Sequence, residues 1–273
     1  LADEPTGNLD EETAAEIMNL LMEIHEKQQP AILMVTHNRE LYKRYPGRVL
    51  ICEDGKPFGE EYTLVSVADY LLSRIYHEAL NTGKSIEEVA APYSMTTSSN
   101  LSSSRALRDV TEQYGGEYHA AAVGEVNVTT KMRECGAVIG GEGNGGVIYP
   151  ALHYGRDAMV GVALFLTNLA HKGMTVSELR RTYPEYVIAK NKIELSDKSL
   201  IDRILEEVKT EYAAEDINTI DGVKISFESR KEWVHLRRSN TEPIIRIYAE
   251  AAGQEAADAL AQQIISIAQR IIG

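Results

Sequence analysis

Between residues 105 and 171, short apolar runs of strand length alternate with longer runs whose apolar residues recur at helical spacing. This alternation constrains the fold more than any other feature of the chain. Helices are expected over residues 105–114, 127–134 and 157–171, with strands over 118–123 and 137–140 between them. Strands that each lead into a helix are joined by crossovers, which builds a layered α/β domain. Upstream, a helix over residues 62–80 places Leu64, Val67, Ala68, Leu71, Leu72 and Ile75 on one face. Residues 94–104, dense in Ser and Thr, read as a loop. The rhythm then changes. A helix over 199–211 precedes strands over 223–227, 233–237 and 244–249 and a closing helix over 255–271, with Asp221-Gly222 as a hairpin turn. This tail reads as a small α+β domain with an antiparallel sheet, its boundary falling between Leu195 and Ser199.

The opening of the chain is a third region. Asp10 is placed to cap a helix carrying Ala14, Ile17, Leu20, Leu21 and Ile24, and apolar runs of strand length follow at residues 31–35 and 49–52. This is an α/β fragment too small for a core of its own. The expected organisation is therefore residues 1–56, 57–195 and 196–273. The chain begins at Leu1 and reads at once like the interior of a domain, so further sequence is expected upstream.

The formal charge of −13, from 28 basic and 41 acidic side chains, disfavours nucleic acid and anionic membrane surfaces unless basic residues gather on one face. No such gathering is visible, which leaves a small molecule or a protein as partner. Cys52 and Cys135 have no metal-ligand spacing and read as free thiols. With no apolar run of about 18 residues and no signal-peptide pattern, a cytoplasmic protein without membrane insertion is expected. Nothing in the sequence fixes an oligomeric state.

Residues 1–10 read Leu-Ala-Asp-Glu-Pro-Thr-Gly-Asn-Leu-Asp, and Val35-Thr36-His37-Asn38 follows the next strand. This resembles the second half of an ABC-type ATPase. The resemblance implies that Asp3 would hold Mg²⁺ through water, Glu4 would polarise the attacking water, Asn8 to Asp10 would touch a partner subunit, and His37 would sense the γ-phosphate. ATP binding also needs a phosphate cradle, in which backbone amides and one lysine hold the phosphates. Asn81-Thr82-Gly83-Lys84-Ser85 imitates only its end, because Glu78 stands where the first glycine is required. These residues are expected not to bind ATP.

Two loops carry the main functional reading. In Gly140-Gly141-Glu142-Gly143-Asn144-Gly145-Gly146 a carboxylate stands among glycines, which let backbone approach a ligand, and it can accept hydrogen bonds from neighbouring sugar hydroxyls. In Arg237-Arg238-Ser239-Asn240-Thr241-Glu242-Pro243, followed by Arg246, guanidinium forks, short hydroxyls and free amides suit a phosphate dianion. Either loop alone could be a plain turn. Together they resemble domains 3 and 4 of the α-D-phosphohexomutases, the family of phosphoglucosamine mutase, phosphomannomutase and phosphoglucomutase. The resemblance covers residues 58–273 and includes Asn100-Leu101-Ser102-Ser103-Ser104-Arg105-Ala106-Leu107 and His153-Tyr154-Gly155-Arg156-Asp157.

The resemblance implies that Glu142 and Asn144 read sugar hydroxyls, while Arg237, Ser239, Asn240, Thr241 and Arg246 hold the non-reacting phosphate of a hexose phosphate. Glu125, in Val123-Gly124-Glu125, departs from the histidine or aspartate expected in another substrate loop. The family's chemistry needs a phosphoserine loop and an Mg²⁺ site of Asp-x-Asp-x-Asp-Arg type. The 273 residues contain neither motif, so no bound metal is expected, and the chain reads as the substrate-binding half, inactive alone. A phosphosugar-binding module without chemistry and an ATPase fragment are the alternatives. The two resemblances overlap within residues 49–56, where a junction is expected, and residues 74–97 read as longer than the family's connection there.

Overall fold

The structure, a computed structural model, describes residues 2–3, 11–28, 32, 34–35, 44–45, 58–195, 199–239 and 243–272. The chain divides into two compact units, Leu1–Ile51 and Cys52–Gly273. In the first, β1 (Ala2–Asp3) leads through α1 (Glu11–Gln28) to β2 (Met34–Val35), and the two strands pair in parallel with Asp3 level with Val35. Ala14 and Met18 are the buried apolar residues of α1. Glu4, Asp10, His37 and the expected junction over residues 49–56 lie outside the described residues.

The second unit opens on α2 (Glu60–Thr82), whose run from Leu64 to Leu72 is almost continuously buried. It ends at Gly83, in a left-handed conformation (φ 70°), and Ser85 then caps α3 (Ile86–Ala90) through a reciprocal bond pair with Glu88. The phosphate-loop look-alike is therefore one helix end followed by one helix start. There follow β3 (Ser94–Asn100), α4 (Ala106–Gln113), β4 (Glu117–Ala121), α5 (Glu125–Cys135), β5 (Ala137–Glu142), β6 (Gly146–Ile148), α6 (Ala158–Lys172) and α7 (Val176–Arg181). The sheet order is β4-β3-β5-β6, parallel except for the β5–β6 hairpin. Helices α2, α4 and α6 contribute to the cluster that includes Leu72, Leu107, Ile139 and Leu169. Helix α5 buries Val128 and Met132 in a second cluster with Ala121 and Ile148, so the domain has three layers.

Residues 94–100, expected as a loop, form β3, one of the two internal strands of the sheet, and are almost wholly buried. Several of their hydroxyls find partners inside the fold: Thr97 Oγ1 pairs with Thr111 Oγ1 at 2.7 Å, and Ser99 Oγ with the Tyr118 hydroxyl at 2.9 Å, while Ser98 Oγ is buried with no hydrogen-bond partner among the described residues. Composition misleads here because a hydroxyl satisfied by a hydrogen bond can be buried almost as readily as a methyl group.

The second sheet contains β7 (Val187–Glu194), β8 (Asp216–Asn218), β9 (Val223–Phe227), β10 (Glu232–Arg238) and β11 (Ile244–Ala251), all antiparallel in the order β7-β11-β10-β9-β8. One face carries Val223, Ile225, Val234, Leu236, Ile245, Ile247 and Ala249 into a core with α8 (Ser199–Glu211) and α9 (Gln254–Ile272). The chain changes sheet before Val187, earlier than the expected boundary between Leu195 and Ser199, because the charged alternation of Val187–Glu194 suits an edge strand paired along its whole length to β11. At that crossing the Tyr62 hydroxyl donates to the Pro184 carbonyl at 2.7 Å and accepts the Tyr186 N–H at 2.9 Å, under the Arg180 guanidinium.

Candidate functional site

Of the residues expected at the site, Glu142 ends β5 and Asn144 sits exposed at the tip of the β5–β6 hairpin, where its Oδ1 accepts the Gly146 N–H. The glycines of this loop are set by protein packing as much as by any ligand. A Cβ on Gly141 would stand 1.9 Å from the Gly146 carbonyl oxygen, and one on Gly143 would strike the Glu61 carboxylate at 2.1 Å. Glu142 is 8% exposed. Its Oε1 accepts from Asn100 Nδ2 at 3.0 Å, and Arg156 Nη1 lies 3.7 Å from Oε2. Glu125 ties down the same arginine, accepting from its Nε at 2.8 Å and from its backbone N–H at 3.2 Å, so Glu125 acts on the site through Arg156.

The phosphate-clamp residues come from β10 and β11. Arg237 and Arg246 stand directly opposite one another, and Lys192 on β7 is the next residue across from Arg246, which makes a row of three basic residues over three strands. Arg237 Nε is buried and has no hydrogen-bond partner among the described residues. The Ser239 N–H donates to the Ile244 carbonyl at 3.0 Å and closes the base of the loop. Asn240 and Thr241 lie outside the described residues.

The two groups belong to different sheets, and residues 100–105 connect them. Ser102 Oγ meets His235 Nδ1 at 2.9 Å, Lys224 Nζ donates to the Leu101 carbonyl at 2.7 Å, and the Arg105 N–H donates to Glu250 Oε1 at 2.8 Å. His235 Nε2 lies 2.6 Å from the Asp221 carbonyl, which can only accept. The neutral ring is thus the Nε2–H tautomer, with Nδ1 accepting from Ser102. Burial holds the His235 pKa down at about 4 and lifts that of Glu61 to about 8, although the Ser104 N–H bonded to Glu61 opposes the latter shift. Burial likewise lowers Lys224 and raises Glu250. Glu61, Asn100, Ser103, His235 and Glu250 escaped the sequence reading of the site. The resembling stretch at residues 100–107 included Asn100 and Ser103 but assigned them no role.

Among the described residues no group of three or more His, Cys, Asp or Glu side chains could hold a metal ion, and no helix is long and apolar enough to cross a membrane.

Residues 63–186 match the family described as phosphoglucomutase/phosphomannomutase, alpha/beta/alpha domain III, and residues 191–267 match its C-terminal domain. The chain is 34% identical over 175 residues to a probable phosphoglucosamine mutase of Methanopyrus kandleri, covering 63% of this chain and 38% of that protein. It is 30% identical over 226 residues to a probable phosphoglucosamine mutase of Pyrococcus horikoshii, covering 82% and 46%. The chain thus spans less than half the length of these relatives. A phosphoglucomutase/phosphomannomutase family protein of Burkholderia thailandensis shares the fold with a TM-score of 0.60 at 23% identity, over 79% of this chain and 42% of that one. So does an Aspergillus fumigatus N-acetylphosphoglucosamine mutase crystallised with GlcNAc-6P and magnesium, with a TM-score of 0.54 at 15% identity, over 79% of this chain and 44% of that one. Two consecutive domains of one family match in order and together take up most of the chain, and residues 63–267 belong to the phosphohexomutase family as its third and fourth domains.

Proposed function

We propose that residues 58–273 bind a hexose phosphate, with Arg237, Ser239, Asn240, Thr241 and Arg246 taking the phosphate and Glu142 and Asn144 the sugar hydroxyls. The observation that carries this reading is the register of β10 on β11. Like charges directly opposite one another destabilise a sheet, yet Arg237 faces Arg246, with Lys192 next in the row. A bound dianion would find charge-assisted hydrogen-bond donors along that row. The phosphosugar complexes of the fold's relatives agree with it.

These residues bind and orient; they supply no phosphoryl donor. The family's phosphoserine loop is not among the 273 residues. The described residues do not fit an Mg²⁺ site, so magnesium enters no step assigned to them. The chain as it stands is proposed to bind without turnover, as a cytoplasmic protein. For residues 1–51 we propose an ABC-type relic. The parallel β1–α1–β2 unit, with Asp3 level with Val35, supports it.

NMR titration of the full chain with glucosamine, mannose and glucose 6-phosphates tests the phosphosugar reading. Shifts are expected at residues 239–241. One charge-assisted bond contributes about 1.5–3 kcal/mol, so Arg237→Ala should weaken binding about tenfold or more. Glu142→Ala should lose sugar discrimination and keep inorganic phosphate. Shifts that are absent at millimolar ligand, or unchanged by Arg237→Ala, would overturn the reading.

A further inference from the structure

We propose that Asn100 is a positioning residue that fixes the Glu142 carboxylate and, through it, the selectivity of this domain among hexose phosphates. The proposal rests on the phosphosugar reading above and adds a residue that touches no ligand itself.

Asn100 is the last residue of β3 and is 6% exposed. Its side-chain orientation is determined by its neighbours. Oδ1 accepts the Ser102 N–H at 2.9 Å, and a backbone N–H can only donate. Nδ2 therefore faces Glu142 Oε1, and a carboxylate oxygen is what an amide N–H requires. The same Oδ1 also accepts from Ser103 Oγ at 3.1 Å, and that hydroxyl in turn accepts the Gly143 N–H at 2.9 Å. One amide thus grips the sugar-reading loop twice, at the Glu142 carboxylate directly and at the Gly143 backbone through Ser103.

The grip bears on selectivity because a carboxylate distinguishes epimeric hydroxyls only if its own lone pairs point in a fixed direction. With Oε1 held by Asn100, Glu142 offers a sugar its remaining lone pairs, chiefly on Oε2, at one angle. Without Asn100, the side chain is free to follow the hydroxyl it meets, and phosphate affinity survives while discrimination falls. Ser102, two residues on, reaches His235 on β10. The turn that orients the sugar reader is therefore also anchored to the sheet that carries the phosphate clamp.

The test measures affinities of the full chain for glucose 6-phosphate, its epimers mannose 6-phosphate and galactose 6-phosphate, and inorganic phosphate. Three variants are compared: Glu142→Ala, Asn100→Ala and the isosteric Asn100→Asp. Asn100→Ala is expected to reproduce the loss of epimer discrimination seen in Glu142→Ala, with inorganic phosphate affinity retained. Asn100→Asp keeps the acceptor for Ser102 and Ser103 but sets a second carboxylate oxygen against Glu142. Two carboxylates so placed share one proton. Discrimination by this variant should be poor at pH 8 and return towards pH 5, a change larger than that of the wild-type ratio, in which the ionisation of the sugar phosphate cancels and Glu61 titrates alike.

The charged groups around the pair are Arg156 on Oε2, Glu125 beyond that arginine, Glu61 against Gly143, and His235 behind Ser102. All are common to both proteins compared. Discrimination lost in Glu142→Ala but intact in Asn100→Ala, or an Asn100→Asp ratio that does not respond to pH, would overturn the positioning role and leave the phosphosugar reading standing. Discrimination that survives Glu142→Ala, or no binding by the wild type, would remove both.

Discussion

Asp69 illustrates at the residue scale what a single buried charge does for the first domain. It is 3% exposed and lies on α2, yet it accepts from the hydroxyls of Tyr114 at 2.7 Å and Tyr183 at 2.8 Å and pairs with Lys172 Nζ at 2.5 Å. It thereby ties α2 to α6 and to the chain after α4 and α7. Burial, reinforced by this carboxylate, keeps both phenols protonated far above their usual range. Removing one partner of a buried pair costs about 3–5 kcal/mol, because the other charge is left uncompensated. Asp69→Ala should lower the denaturant unfolding free energy by that order, and Asp69→Asn, which keeps an acceptor, by less. The helical spacing around Asp69 was legible in the sequence, but its role was not. Its partners stand 45 to 114 residues away, and helical periodicity carries no information about contacts at that range.

Among the elements, β3 shows where composition fails and β10–β11 where it succeeds. The arginine-bearing loop could be read because its residues are neighbours in sequence and its flanking runs alternate cleanly, so the register follows almost directly. Strand β3 was hidden because its seven residues, Ser-Met-Thr-Thr-Ser-Ser-Asn, match a loop in composition. Its stability depends on specific bonds, which can be taken apart. The Thr111 hydroxyl donates to the Leu107 carbonyl at 2.7 Å, so in the Thr97–Thr111 bond Thr97 is the donor. Thr97→Val removes that donor and leaves Thr111 its own bond to Leu107. Thr111→Val instead strands a buried donor, a cost of about 1–3 kcal/mol. Thermal unfolding should therefore rank Thr111→Val as the more damaging change, with the double substitution recovering part of the loss.

For the molecule as a whole, the titratable groups buried where the two sheets of the Cys52–Gly273 unit meet make stability depend on pH. A carboxyl whose folded pKa is raised contributes stability that is complete below about 4.5 and is lost as pH climbs through about 8, as Glu61 does. An imidazole held down at about 4 contributes in the other sense: His235 stabilises fully above about 6.5 and loses its effect as pH falls through 4. The contributions of Glu61 and His235 oppose each other between about pH 4.5 and 6.5. From there to about pH 8 Glu61 acts in the same sense as Glu250, whose carboxyl burial also raises, and stability should decline by up to about 1.4 kcal/mol per pH unit for each group. Glu61→Gln should make that decline shallower in chemical denaturation profiles, and a slope unchanged by the substitution would refute the contribution of Glu61.

The polar make-up of β3 has a consequence beyond the folded state. The internal strand of a parallel sheet is usually its most apolar segment, and when a domain opens such a strand is the one that seeds cross-β association. Here one of the two internal strands, β3, has one methionine and otherwise only hydroxyl or amide side chains, and the other, β5, is interrupted by Gly140 and Gly141, so neither has much tendency to stack on copies of itself. The hazard moves to the other sheet, to the isoleucine-rich strand Ile244–Ala251, where Arg246 and Glu250 interrupt the run as charged gatekeepers. An unfolded chain should therefore begin to aggregate from its C-terminal domain, while the three-layer domain stays in solution longer.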